Sequence, residues 1–213
     1  AATDVYKRQG ISMGPPPAES IVKEGMALGA DRGILLSDRA FGGADAFATA
    51  FTLASGILKT GPFYLVLCGM ASSDGATEWV GPLLANFLSV PVVTMVRRLE
   101  STANNIWTLL ADWQNGYRRV EVRLPAVITV TRELNRPRAL SFSGILKARR
   151  KTIELWDLEA LGVPVETVGT KGSPTIVSEM STVEKRREVE LLRGTTEEKA
   201  EQLVSRLAER GLP

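Results

Sequence analysis

The chain has 213 residues, 44% of them hydrophobic and 23% charged, with a formal net charge of +2. That is enough for one large globular domain, or a domain with an arm, and it offers no electrostatic reason for a nucleic-acid partner. With no histidine and a single cysteine, Cys68, the composition excludes a Ser-His-Asp or Cys-His nucleophile, a His-ligated zinc, a thiolate cluster and an intrachain disulfide, leaving carboxylates, Lys, Arg, Tyr or a borrowed cofactor to carry any chemistry.

Two strand–helix units come first. "RGILLSD" (32–38) is a short, branched apolar run that reads as a strand buried on both faces. After the turn "RAFGG", residues 44–60 read as a helix with Phe47, Phe51, Ala54 and Leu58 on one buried stripe. "PFYLVLCG" (62–69) is a second strand, in which Cys68 reads as a small buried hydrophobe. A helix over "EWVGPLLANFLS" follows, and Asp45 and Thr77 stand where helix caps are expected. Repeated units of this kind predict an α/β fold, a three-layer, mostly parallel nucleotide-binding sheet with helices on both faces.

The next stretch changes texture. Residues 91–100 and 105–131 read as extended, with Asn115-Gly116 as a hairpin signal. Val120, Val122 and Leu124 alternate with Glu121 and Arg123, which fits a half-exposed antiparallel strand, and the apolar "PAVITVT" (125–131) re-enters the sheet. A helix over "FSGILKARRK" and a short strand around "TIELW" complete the domain. From 162 to 193 periodic apolar residues are few, which predicts an arm lying over something rather than a second core. Thr195 or Thr196 then opens an amphipathic helix with the stripe Ala200, Leu203, Val204, Leu207 and Ala208, closed by Gly211. The expected division is 1–10 as a leading segment, 11–161 as an incomplete nucleotide-binding domain and 162–213 as a C-terminal arm and helix. Basic clusters such as Arg149-Arg150-Lys151 and Lys185-Arg186-Arg187 have acids nearby and read as solvated faces. No apolar run is long enough to span a bilayer and no signal-peptide pattern opens the chain, so a cytoplasmic location without membrane insertion is expected.

Two junctions carry the functional reading. Between the 62–69 strand and its helix lie Gly69, Ala71, Ser72, Ser73, Asp74, Gly75, Ala76 and Thr77, a run of small, hydroxylated and acidic residues before a helix N-terminus. Unpaired amides and the helix dipole make such a turn a seat for phosphate, with Asp74 placed for a ribose hydroxyl or an adenine amine. The alternative is a plain loop with a Thr cap, and the segment is no Walker motif. The second junction, 37–50, has two glycines before its helix, with Arg39 able to stack on a flat ring and Thr49 in the first turns. Its plain reading is a turn capped by Asp45. Side by side, the two would form one crevice beyond the strand ends.

Taken together, "SDRAFGGADAFATAFTLA", "DGATEWVGPLLANFL", "LNRPR" followed by "GILKARRK", and "SPTIVSEM" resemble the beta subunit of electron transfer flavoproteins over nearly all of residues 11–213. The 38–49 turn is closer to the bacterial, flavin-bearing, bifurcating type. The resemblance implies a non-catalytic electron-carrier subunit with no metal, paired with an alpha subunit that holds the electron-transferring FAD. It implies that this chain holds FAD, or alternatively AMP, and that electrons pass between NADH or an acyl-CoA dehydrogenase and a downstream acceptor. By position the nucleotide seat covers Met13, Gly69, Met70, Ala71, Ser72, Asp74, Thr77, Glu78, Trp79 and Val80. Asp38, Arg39, Ala44, Asp45 and Thr49 join it in the flavin-bearing type. The dehydrogenase-docking loop maps to Ser141, Phe142, Ser143, Gly144, Ile145 and Leu146, with Phe142 at the anchor position, unless Phe142 only staples the helix behind it.

Three departures bear on this. The family segment runs close to "DGDTAQVGP", so Ala76 lacks a carboxylate, Glu78 brings negative charge to a phosphate seat, and Trp79 either stacks on adenine or fills the pocket. Ala46 and Ala50 stand where hydroxyls are usual. The first residues, "AATDVYKRQ", lack the family's opening strand, helix and most of a second strand, which predicts an N-terminally truncated form with uncovered strand edges. A competing reading makes the chain a nucleotide-free structural partner of the alpha subunit with a degenerate cofactor site.

Overall fold

The structure, a computed structural model, describes residues 8–179 and 189–211, in two compact units divided between Ile176 and Val177. The Lys185-Arg186-Arg187 cluster lies outside the described residues.

In the first unit, β1 (Gln9–Met13) leads through α1 (Glu19–Leu28) to β2 (Arg32–Leu36), then α2 (Ala46–Lys59), β3 (Leu65–Gly69) and α3 (Val80–Leu88). β4 (Val92–Ala103), β5 (Ile106–Trp113) and β6 (Gly116–Arg123) form an antiparallel meander before β7 (Ala126–Val130). The unit closes with α4 (Phe142–Arg150), β8 (Glu154–Trp156), α5 (Leu158–Leu161) and α6 (Gly169–Gly172). The predicted α/β class holds, but the strands form two sheets, not one. β1-β2-β8 is a parallel three-stranded sheet, and β3-β7-β4-β5-β6 is a mixed five-stranded one. β1 and β3 are both edges among the described residues, while α2 and α3 pack together above them. That helix layer is continuous over a divided sheet. Its core joins Ala54, Ile57, Leu84, Ala85 and Val127, with Ile11 of β1 and Val66 of β3 packed against it.

Burial explains which strands were legible. Ile34, Leu35 and Leu36 of β2 are fully buried, each contributing about 1.5–3 kcal/mol by removal from water, and β7 is buried over Ala126–Ile128. By contrast β1 and α1 have no strong pattern: "QGISM" mixes polar and glycine positions at an edge, and α1 buries only Val22 and Met26. The two tight turns also differ from expectation. Asn104 and Asn105, at φ 49° and 61°, connect β4 to β5 in the doubly left-handed turn that suits hairpin twist. In the second hairpin the turn residues are Gln114 and Asn115, with Gly116 already paired to Trp113. On α2 the buried positions are Ala48, Ala50, Thr52, Ala54, Gly56 and Ile57; of the predicted stripe Phe47, Phe51, Ala54 and Leu58, only Ala54 is buried, Phe51 is half-buried, and Phe47 and Leu58 are exposed. The reason is close packing: a Cβ on Gly56 would lie 2.8 Å from Ile11 Cδ1, so the sheet takes the small-residue face. Phe47 and Phe51 instead meet Phe87 edge-on at 5.1 and 5.4 Å and line an open depression of about 560 Å³.

Residues 162–176, expected to start an arm, pack into the first unit. Gly169, at φ 57°, allows this: a Cβ there would sit 1.9 Å from Ala40 O. In the second unit α7 (Thr196–Glu209) opens on a capping box between Thr195 and Glu198, and its stripe residues Leu203 and Val204 are exposed. No helix among the described residues is long and apolar enough to cross a membrane.

Candidate functional site

The junction after β3 opens onto a cavity of about 250 Å³ lined by Met70, Thr77, Glu78, Trp79, Pro82, Thr94, Met95 and Thr129. Its floor comes from β7 and β4, and its rim from the loop and the first turn of α3. Ala76 and Glu78 hold φ of 45° and 60°, a conformation that costs non-glycine residues energy and persists only where the surroundings hold it. Trp79 is 67% exposed, so its indole stands beside the cavity and does not fill it.

α3 starts later than expected. Trp79 is its N-cap, no side chain caps it, and Thr77 Oγ1 only accepts from Trp79 N–H at 3.5 Å. Neither Thr77 nor Glu78 therefore satisfies the first turn. Pro82 has no N–H, and Leu83 N–H already donates to Trp79 O. The Val80 and Gly81 amides have no intrahelical acceptor, but neither residue lines the cavity and Gly81 is buried. Asp74 is exposed; hydrogen bonds from the Ser72 hydroxyl and Gly75 N–H hold its carboxyl below the usual range and tie it into the loop. Gly69 at the end of β3 and Ala71 and Ser72 of the loop are exposed without lining the cavity. Burial pushes the Cys68 thiol up to about 11, which leaves it inert.

Thr94, Met95 and Thr129 were not among the sequence-derived candidates. β4 carries a bulge between Val93 and Val96 against β7, and Met95 within it has φ 57°. Met95 N–H donates to Thr129 Oγ1 at 2.9 Å. The signal for a bulge is faint, the single polar Thr94 inside an apolar run.

The second junction is closed by its own chain. Asp38 accepts from Ala40 N–H at 2.9 Å and Leu158 N–H at 3.0 Å, and these bonds hold its carboxyl below the usual range. Asp45 caps α2 as expected, accepting from Phe47 N–H and Ala48 N–H. Its other oxygen accepts from Thr175 N–H at 3.0 Å and Thr175 Oγ1 at 2.7 Å. Burial pushes the Asp45 carboxyl up, and these bonds outweigh it and hold the group low. Arg39 is exposed, Ala44 and Thr49 half-buried, and none of Met13, Asp38, Arg39, Ala44, Asp45 or Thr49 lines the β3 cavity. β2 and β3 lie in different sheets, so their ends are not neighbouring strand ends of one crevice.

On α4, Ser141 is the N-cap, accepting from Gly144 N–H at 3.0 Å. Phe142 is the first helical residue and 77% exposed, which removes the staple reading. Ser143 and Leu146 are exposed beside it, while Ile145 is half-buried. Gly144 has a structural duty, since a Cβ there would come within 2.6 Å of Ala27 O and force α4 off α1.

The family model of the electron transfer flavoprotein domain matches residues 3–161. The chain is 41% identical over 199 residues to the electron transfer flavoprotein subunit beta of Clostridium acetobutylicum, covering 93% of this chain and 76% of that one. This chain belongs to the electron transfer flavoprotein beta-subunit family. It is also 41% identical over 201 residues to the caffeyl-CoA reductase-Etf complex subunit CarD of Acetobacterium woodii, covering 94% of this chain and 76% of that one. A third relative, the acryloyl-CoA reductase electron transfer subunit gamma of Anaerotignum propionicum, is 35% identical, with 94% of this chain and 77% of that one covered. Members of this family are thus subunits of electron transfer complexes, and the β3 cavity is this member's candidate for whatever it carries.

Proposed function

We propose that this chain is the beta subunit of a cytoplasmic electron transfer flavoprotein, holding an adenine nucleotide in the β3 cavity and pairing with a flavin-carrying alpha subunit. The observation that carries the nucleotide reading is the cavity's make-up: an exposed indole, two thioethers from Met70 and Met95, and the open first turn of α3. Indole and thioether surfaces suit a flat heteroaromatic ring, and the positive end of the α3 dipole beside the cavity suits a phosphate. Thr77 and Thr94 put hydroxyls at the edges, while Glu78 opposes the anion.

Size favours the smaller ligand. Sites for drug-sized ligands run to roughly 300–1,000 Å³, and at about 250 Å³ the cavity suits AMP or the adenosine phosphate half of FAD. A whole FAD would need the 38–49 turn, where both carboxylates are already engaged by the chain. A flavin in the complex supplies the electron chemistry, which belongs to that group. This chain's residues bind, orient and dock.

Two surfaces support the partners. Exposed Leu203 and Val204 on α7 give an apolar stripe for the alpha subunit. Phe142, with Leu140 and Leu146 exposed near it and Lys147, Arg149 and Arg150 on the same helix, presents an aromatic anchor in basic surroundings. That suits an acyl-CoA dehydrogenase with an acidic rim, with NADH as the electron donor where a second flavin is present. Relatives named for caffeyl-CoA and acryloyl-CoA reductases favour this class of partner.

Co-expression with the alpha subunit, followed by flavin and AMP counting per heterodimer, tests the proposal. One FAD with one AMP is the expected result, and two FAD would make it the bifurcating type. One FAD with no nucleotide would remove the cavity's role and leave a structural partner.

A further inference from the structure

We propose that Thr129 is a positioning residue that sets the spacing of the cavity's two walls, and through it the affinity for an adenine ring; this rests on the nucleotide reading above. One wall is the β4 bulge, bearing Thr94 and Met95, and the other is the first turn of α3 with Trp79 and Pro82. Thr129 meets both. It is 2% exposed on β7, and its hydroxyl accepts Met95 N–H at 2.9 Å. Its methyl lies under α3, so that a Cβ added to Gly81 would fall 2.2 Å from Thr129 Cγ2, against 3.3 Å from Cys68 Sγ.

The two halves of this side chain do different work. Four β4 residues, Val93 to Val96, span the register that three residues, Ile128 to Val130, cover on β7, and the bulge turns Met95 out of the ladder. Its amide then needs another acceptor, and the Thr129 hydroxyl is that acceptor. Without it, a methionine at φ 57° has nothing to offset its strain and relaxes toward extended backbone, withdrawing its thioether from the cavity. The methyl fixes how closely α3 settles, because Gly81 leaves no side chain to hold the helix off. A ring entering between Trp79 and Met95 therefore meets a gap whose width Thr129 determines from both sides.

The test is an AMP titration of the full chain by calorimetry, with amide exchange at Met95 and thermal melting measured alongside. Thr129→Val keeps the shape and removes the acceptor, and should weaken AMP about tenfold and speed Met95 exchange. Thr129→Ser keeps the acceptor and should bind within about threefold of wild type with Met95 still protected. Gly81→Ala should weaken AMP about tenfold by lifting α3, and adding Thr129→Ser should restore it, since serine lacks the methyl that the new Cβ meets. Unchanged AMP affinity in Thr129→Val, or a Gly81→Ala defect that Thr129→Ser does not repair, overturns the positioning role and leaves the nucleotide reading intact. If Thr129→Val does not fold, the Gly81→Ala pair decides. A wild-type chain that binds no AMP overturns the nucleotide reading and this inference with it.

Discussion

The junctions after β2 and after β3 start from similar sequences, small residues and an acid between an apolar strand and a helix, yet they end as opposites. After β2, later parts of the chain return to bond both carboxylates: Leu158 N–H reaches Asp38, and Thr175 reaches Asp45. After β3, β4 and β7 return only as the cavity floor; among the described residues no side chain caps the first turn of α3, and the cavity opens beside an exposed indole. The lesson is that a strand–turn–helix pattern specifies amides near a helix start, while the rest of the chain decides whether a ligand or the protein uses them.

The strongest way to break this contrast is to remove the closure at the first junction. Asp45→Ala loses the α2 cap and both Thr175 bonds and should cost about 2 kcal/mol in urea unfolding, while AMP affinity at the β3 cavity stays put. A matched fall in AMP affinity would mean the two junctions act as one site. Asp45→Asn keeps the cap oxygen but cannot accept from Thr175, and its cost should depend on pH. The folded Asp45 and Asp38 carboxyls titrate below their unfolded value of about 3.9. Their stabilisation is therefore complete above about pH 4 and lost as the pH falls through the lower, folded values. The gap between wild type and Asp45→Asn should close in that acid range, which a pH series of melts will read.

Next in size is Phe142→Ala, which should weaken dehydrogenase docking about tenfold or more, read by surface plasmon resonance, with melting unchanged because the ring is exposed. Trp79→Ala should lower AMP affinity about tenfold and leave stability within roughly 0.5 kcal/mol. A gain in affinity instead would show that the indole obstructs the cavity. Smallest is Glu78→Gln, expected to tighten AMP about two- to threefold, an advantage that fades with added salt.

How much of this could be read from residues alone follows the same physics. β2, β7 and the amphipathic α7 carry long or uniform apolar patterns, and all were anticipated. β1 and α1 were not, because an edge strand with Gln9, Gly10 and Ser12 and a helix burying two side chains leave little periodic trace. Phe47 and Phe51 misled, since aromatic residues at helical spacing resemble a core stripe until Gly56 and its alanine neighbours claim the close contact. At the site, Thr77 is legible from its place between strand and helix, while Met70, Glu78 and Trp79 follow only from the family resemblance. Thr94, Met95 and Thr129 come from strands distant in sequence, and only the pairing of β4 with β7 brings them to the rim.

The helix pair α2–α3 packs against two sheets whose edge strands, β1 and β3, each leave one side of backbone donors and acceptors outside a ladder among the described residues. Such a seam is a template for any extended segment, and Leu67 of β3, 59% exposed, adds a greasy handle to it. Stored alone at high concentration, the purified chain should therefore associate through this seam long before its helices melt, and a lysine at Leu67 should keep it dispersed.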